Sequence, residues 1–208
     1  MDKKKVQPAK NPLNINPAAM MSTEVFEWIS DSVHPDQPIL EIGSGYGTHI
    51  LLDLGYKPCS IEESKDWVNK YHNNYVYAPI DEEMGWYQTK TLKENFKKFK
   101  DIADGYGWGC VIIDGPTVNR NGILPYLDYL GIGLTPVVID DIQRPENQLL
   151  LKAVHHHCQT LRARFWEDER FRKDNKEFIE KKYHIDASEG FLKAGIYTVP
   201  DKTASIIL

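Results

Sequence analysis

From residue 22 onward, apolar positions switch repeatedly between two periods. In "STEVFEWIS" Val25, Phe26 and Ile29 share one helical face, and Ser22 stands where an N-cap belongs. A short apolar run, "PILEIG" (38–43), then reads as a buried strand, and "THILLDLG" (48–55) as a helix closed by Gly55. The alternation continues with a strand "PCSIEE" (58–63), a helix from Ser64 to about His72, and a strand "NYVYAPI" (74–80). Next come a helix "TLKENFKKFKDIAD" (91–104), a strand "CVIIDG" (110–115), a helix "ILPYLDYL" (123–130) and a strand "PVVIDD" (136–141). Residues 145–182 carry a long helical pattern, and "GFLKAGIYTVPDKTASIIL" reads as two strands joined at Pro200-Asp201-Lys202. Strands alternating with helices predict an α/β domain, a doubly wound and mostly parallel sheet covered on both faces, with a C-terminal antiparallel hairpin.

Composition narrows this picture. A chain of 208 residues suits one domain, here 18–208, preceded by a polar arm at 1–17 and carrying a helical insertion at about 145–182. At 41% hydrophobic and 26% charged it has the make-up of a globular protein. A formal net charge of -5 argues against a nucleic-acid partner. No apolar run reaches the ~18 residues of a membrane span, and "MDKKKVQPAKNPLN" lacks the apolar core of a secretion signal. Three scattered cysteines fit a reducing cytoplasm better than a disulfide framework, with Cys59 and Cys110 expected in the core.

The candidate chemistry gathers at strand ends. In a doubly wound sheet ligands bind beyond the carboxyl ends of the strands, where the strand order reverses. The first strand runs into Gly43-Ser44-Gly45-Tyr46-Gly47, two residues past Glu41. A dinucleotide loop needs G-x-G-x-x-G, but here the third glycine arrives one residue early and Thr48 takes its place. A carboxylate before the loop would repel a pyrophosphate and suit a cationic ligand. Glu62 ends the second strand nineteen residues past Gly43, and its oxygens can accept from a diol. Asp114 ends the fourth long strand, and Asp140 and Asp141 end the fifth. Buried strands ending in carboxylates call for a counter-charge. A divalent cation such as Mg²⁺ held by Asp114, Asp140 and Asp141 is one candidate, and pairing with Arg120 or Arg144 is the other. The "HHH" at 155–157 lies on a helix, where consecutive residues point about 100° apart and do not converge on one ion. The mixed-charge run 162–182 reads as a solvated amphipathic helix or a substrate-facing lid.

"LEIGSGYG" resembles the first motif of class I S-adenosylmethionine-dependent methyltransferases, E/D-x-G-x-G-x-G, and the resemblance runs from about residue 38 to about 146. It implies a Rossmann-like methyltransferase fold with S-adenosylmethionine as cofactor. It further implies that Gly43, Ser44, Gly45, Tyr46 and Gly47 pack on the methionine part, Glu41 organises the loop, and Glu62 grips the ribose hydroxyls. Ala78 and Pro79 would then pack on the adenine and Asp81 would accept from its amino group, with Glu63 pointing elsewhere. Trp86 and Tyr87 would either wall the substrate pocket or cover the sheet. The strand-end aspartates are similar to those of metal-dependent catechol-type O-methyltransferases, except that Thr117 stands where those carry a lysine base and Gly-Pro follows Asp114. The resemblance to the wider methyltransferase family also puts Asp114 at the cofactor, and in place of a metal site Asp114 or Asp140 would act as general base toward a small-molecule acceptor. Another transferase on the same fold, a nicotinamide oxidoreductase, and a non-catalytic binding module are the alternatives.

Overall fold

A computed structural model describes residues 21–103, 107–167, 195–200 and 203–208. The 1–17 arm, the part of the 145–182 segment beyond residue 167, and Asp201-Lys202 lie outside the described residues.

Nine strands are described: β1 (Pro38–Ile42), β2 (Lys57–Glu62), β3 (Tyr75–Tyr77), β4 (Ile80–Asp81), β5 (Trp86–Tyr87), β6 (Cys110–Ile113), β7 (Val137–Asp140), β8 (Ile196–Thr198) and β9 (Ala204–Ile207). Seven form one sheet in the order β3-β2-β1-β6-β7-β9-β8, while β4 and β5 make a separate small ladder. The first five strands in that order run parallel, and β9 is antiparallel to both β7 and β8. The chain winds outward from β1 through β2 to β3, then returns to the other side of β1 at β6. The order therefore reverses at β1. Ile42 lies level with Ile61 and with Ile113, and Ile113 with Ile139, so the strands end on one line. The architecture is α/β and compatible with a Rossmann-like fold.

Both faces of the sheet are buried, which is why its strands read as continuous apolar runs. Leu40, Ile42, Ile61, Val111, Ile113 and Ile139 face one way, against Leu92, Phe96 and Phe99 of α3 (Thr89–Ala103) and against Trp86 and Tyr87. Spacings of four and three residues put those three α3 side chains on one helical face. Ile39, Ile112 and Val138 face the other way, against Val25, Phe26 and Ile29 of α1 (Thr23–Ser32) and Ile50 and Leu51 of α2 (Tyr46–Asp53). Each fully buried side chain of this size contributes roughly 1.5–3 kcal/mol. Glu41 alternates with Leu40 and Ile42, so it enters the α1/α2 layer rather than solvent. Cys59, Cys110 and Cys158 are buried free thiols. Among the described residues no helix is long and apolar enough to cross a membrane.

Four local expectations change. Residues 65–69 form turns rather than a helix running from Ser64 to His72. Asn69 adopts φ 60°, the left-handed region, and ends the coil after Trp67 and Val68 have bonded back to Ser64 O. The helix expected at 123–130 is a tight 3₁₀ helix, Arg120–Tyr126, followed by turns. Pro125 sits inside it, and its missing N–H favours the short form. The strand expected at 74–80 stops at Tyr77, and Ile80 turns away to pair with Tyr87. Ser22 flanks α1, but its hydroxyl donates to Glu24 instead of capping the helix. The final long helix, α4, is described over Pro145–Glu167. His155, His156 and His157 fan around it, and His157 Nε2 lies 2.9 Å from Ile132 O.

Candidate functional site at the carboxyl edge of the sheet

At the reversal point the loop leaving β1 is held from below. Gly43 has φ +86°, a region costly for side chains, and a Cβ there would sit 2.6 Å from the backbone N of Gly115. This close approach locks the β1 and β6 loops together. Ile42 O accepts from the amides of both Asp114 and Gly115. Gly45 is different: a Cβ there would meet no protein atom within 4 Å, and the residue lines a cavity. At Gly47 the missing Cβ faces Met21 and Phe26, so this glycine admits the packing of α1 rather than a ligand.

Two glutamates brace the loop. Glu41 accepts from Thr48 Oγ1 at 2.8 Å and from Ser60 Oγ at 2.6 Å, and Thr48 Oγ1 accepts in turn from the Gly45 amide at 3.1 Å. Full burial raises the Glu41 carboxyl to about 7 despite these bonds. Glu62 accepts from the Ser44 amide and the Ser64 amide, both at 2.7 Å. One oxygen thus ties down the glycine loop and the other its own turn, and burial pushes this carboxyl up as well. Ser44 Oγ lies within hydrogen-bond distance of Thr48 Oγ1 and of Tyr75 Oη.

The other half of the site comes from β6 and β7. One carboxylate oxygen from each of Asp114, Asp140 and Asp141 falls within 4.8 Å of the others. Arg120, buried in the 3₁₀ helix, threads between them. Its Nη2 donates to Asp114 Oδ1 at 3.0 Å and Asp141 Oδ2 at 3.1 Å, and its Nη1 to Asp140 O at 2.8 Å. Arg144 Nη2 meets Asp141 Oδ2 at 2.9 Å, and Gln143 donates to Asp141 Oδ1. Asp141 holds φ 57°, and Asn147 donates to the carbonyls of Asp140 and Asp141. Burial, then the neighbouring carboxylates, raise Asp114 well above the ordinary range and Asp140 to about 6. Asp140 Oδ1 is buried with no hydrogen-bond partner.

One cavity of about 760 Å³ joins the two halves, a volume typical of small-molecule sites (roughly 300–1,000 Å³). Gly43, Ser44, Gly45, Tyr46, Glu62, Asp114, Asp140 and Asp141 all line it. Glu41 and Gly47 act from behind the loop. Ala78 is fully buried in the core, and Asp81 accepts from the Glu83 and Met84 amides of its own turn; neither lines the cavity. Trp86 and Tyr87 cover the sheet, with Trp86 stacked on Tyr126. Glu63, expected to point elsewhere, lines the cavity and lies 3.4 Å from Thr117 Oγ1 and from Tyr87 Oη. It follows the last paired residue of β2, where alternation no longer sets direction. Ser64, Trp67, Gly115, Thr117, Gln143, Arg144 and Thr203 complete the lining with Arg120; of these the sequence marked the two arginines as carboxylate partners and Thr117 as the residue in place of a lysine base. No protein-family model matches the chain, and no curated protein matches it.

Proposed function

We propose that the protein is an S-adenosylmethionine-dependent methyltransferase acting on a small-molecule acceptor. The observation that carries this reading is the meeting, in one cavity, of the glycine loop, Glu62 and the strand-end aspartates. The residues fit the cofactor. Gly45 leaves open space on the cavity side, which a side chain would fill. Glu62 is fixed by two amides yet keeps further lone pairs for a ribose diol. The acidic lining suits a ligand that carries a sulfonium and an ammonium.

The cofactor supplies a methyl group already activated on sulfur. The chain has to place the acceptor in line with it and remove a proton. Asp140 is the base in this scheme, since it lines the cavity and its Oδ1 has no hydrogen-bond partner. Arg120 and Arg144 support a metal-independent form of the reaction. Their guanidiniums already pair with Asp114 and Asp141. The test is transfer of labelled methyl from S-adenosylmethionine into metabolite pools by the full chain. A labelled product supports the reading; cofactor binding with no transfer to any pool favours the non-catalytic binding module instead.

A further inference from the structure

Five carboxylates line the cavity, those of Glu62, Glu63, Asp114, Asp140 and Asp141, against the two guanidiniums of Arg120 and Arg144. Both arginines are committed to ion pairs with Asp114 and Asp141. Five carboxylates against two guanidiniums leave the lining net negative. Within it Asp140 is 8% exposed, and its Oδ1 has no hydrogen-bond partner. A buried carboxylate oxygen left bare costs free energy, and a donor brought by a ligand recovers it.

We infer that the methyl acceptor is an amine, which enters as its ammonium ion and donates to Asp140 Oδ1. This rests on the methyltransferase reading and names its substrate class. A hydroxyl acceptor becomes an oxyanion as it loses its proton, and here that charge would form beside Asp140 and Asp141. An ammonium instead arrives with the charge the wall attracts and becomes neutral when it gives up a proton. The balance is simple. The nitrogen passes one proton to Asp140 Oδ1, and its freed lone pair attacks the methyl carbon. The N–C bond forms as the C–S bond breaks, its electron pair stays on sulfur as a neutral thioether, and the positive charge passes to the methylated nitrogen.

The experiment uses the full chain, labelled S-adenosylmethionine, and a bacterial metabolite extract split by ion exchange at pH 7 into cationic, neutral and anionic fractions. Label should enter the cationic fraction and stay on nitrogen. Asp140→Asn should lower that transfer on the order of 100-fold, with S-adenosylhomocysteine affinity changed less than about threefold. The binding measurement also shows that the variant is folded. Label confined to the neutral or anionic fractions, or undiminished transfer by Asp140→Asn, overturns the inference. Label in no fraction, or failure of the wild-type protein to bind S-adenosylhomocysteine, overturns the reading beneath it instead.

Discussion

Glu41 touches no part of the cavity and still governs it, because its carboxylate holds the one hydroxyl that caps the glycine loop. Burial raises it to about 7 from an unfolded value of 4.5, so the folded state favours its protonated form. Its contribution to stability is therefore greatest below pH 4.5, declines as pH rises toward 7, and is gone above that. At 1.36 kcal/mol per unit the change is on the order of 3 kcal/mol. Thermal unfolding followed from pH 4.5 to 8 should show this decline, and Glu41→Gln should flatten it. An unchanged slope in the variant would show that another group is responsible. Asp140 predicts a second pH effect. As a base it must be ionised, so turnover should rise with pH through about 6. The Asp140→Asn variant should lack that limb. Arg120 makes a third case, since removing it leaves carboxylates buried without their partner. Arg120→Met should cost roughly 3 kcal/mol in urea unfolding, while EDTA should leave wild-type turnover unchanged. Loss of activity in EDTA, restored by Mg²⁺, would return the aspartates to a metal.

The glycine loop separates fold from ligand within three residues. Gly43→Ala forces a side chain onto Gly115 at a positive φ and should lower the melting temperature by several degrees. Gly45→Ala meets no protein atom and has extended backbone, so it should melt near wild type but bind S-adenosylhomocysteine more weakly. Equal binding by Gly45→Ala and wild type would remove this loop from the ligand. Elements of this kind were legible in the sequence for a definite reason. Strands buried on both faces read as short, largely apolar runs, and β1, β2, β6 and β7 all read that way. The aspartates and Glu62 were legible because they break such runs at one end. Where tertiary packing overrode local pattern the sequence said less. The aromatic-rich segment 64–72 has helical spacing, but Asn69 turns out of it and leaves Trp67 at the cavity. Ala78 and Asp81 follow a strand end as expected, yet Ala78 is buried in the core and Asp81 is drawn into the β4–β5 ladder, so neither lines the cavity. Glu63 was missed because it lies one residue beyond the ladder.

Across the whole molecule, the candidate site lies where the sheet reverses direction. The strands on either side of β1 end level with it, so Glu62, the glycine loop and Asp114 meet without any long-range adjustment. Parallel β7 adds Asp140 to the same line, and antiparallel β9 extends the sheet beyond it. The proposed function requires this edge to hold S-adenosylmethionine rather than a dinucleotide. Calorimetric titration of the full chain with S-adenosylhomocysteine, and separately with NAD, tests it most directly. S-adenosylhomocysteine should bind with micromolar affinity, weakened by roughly 1–3 kcal/mol in Glu62→Ala, and NAD should not bind. Tight NAD binding with no response to S-adenosylhomocysteine would contradict it.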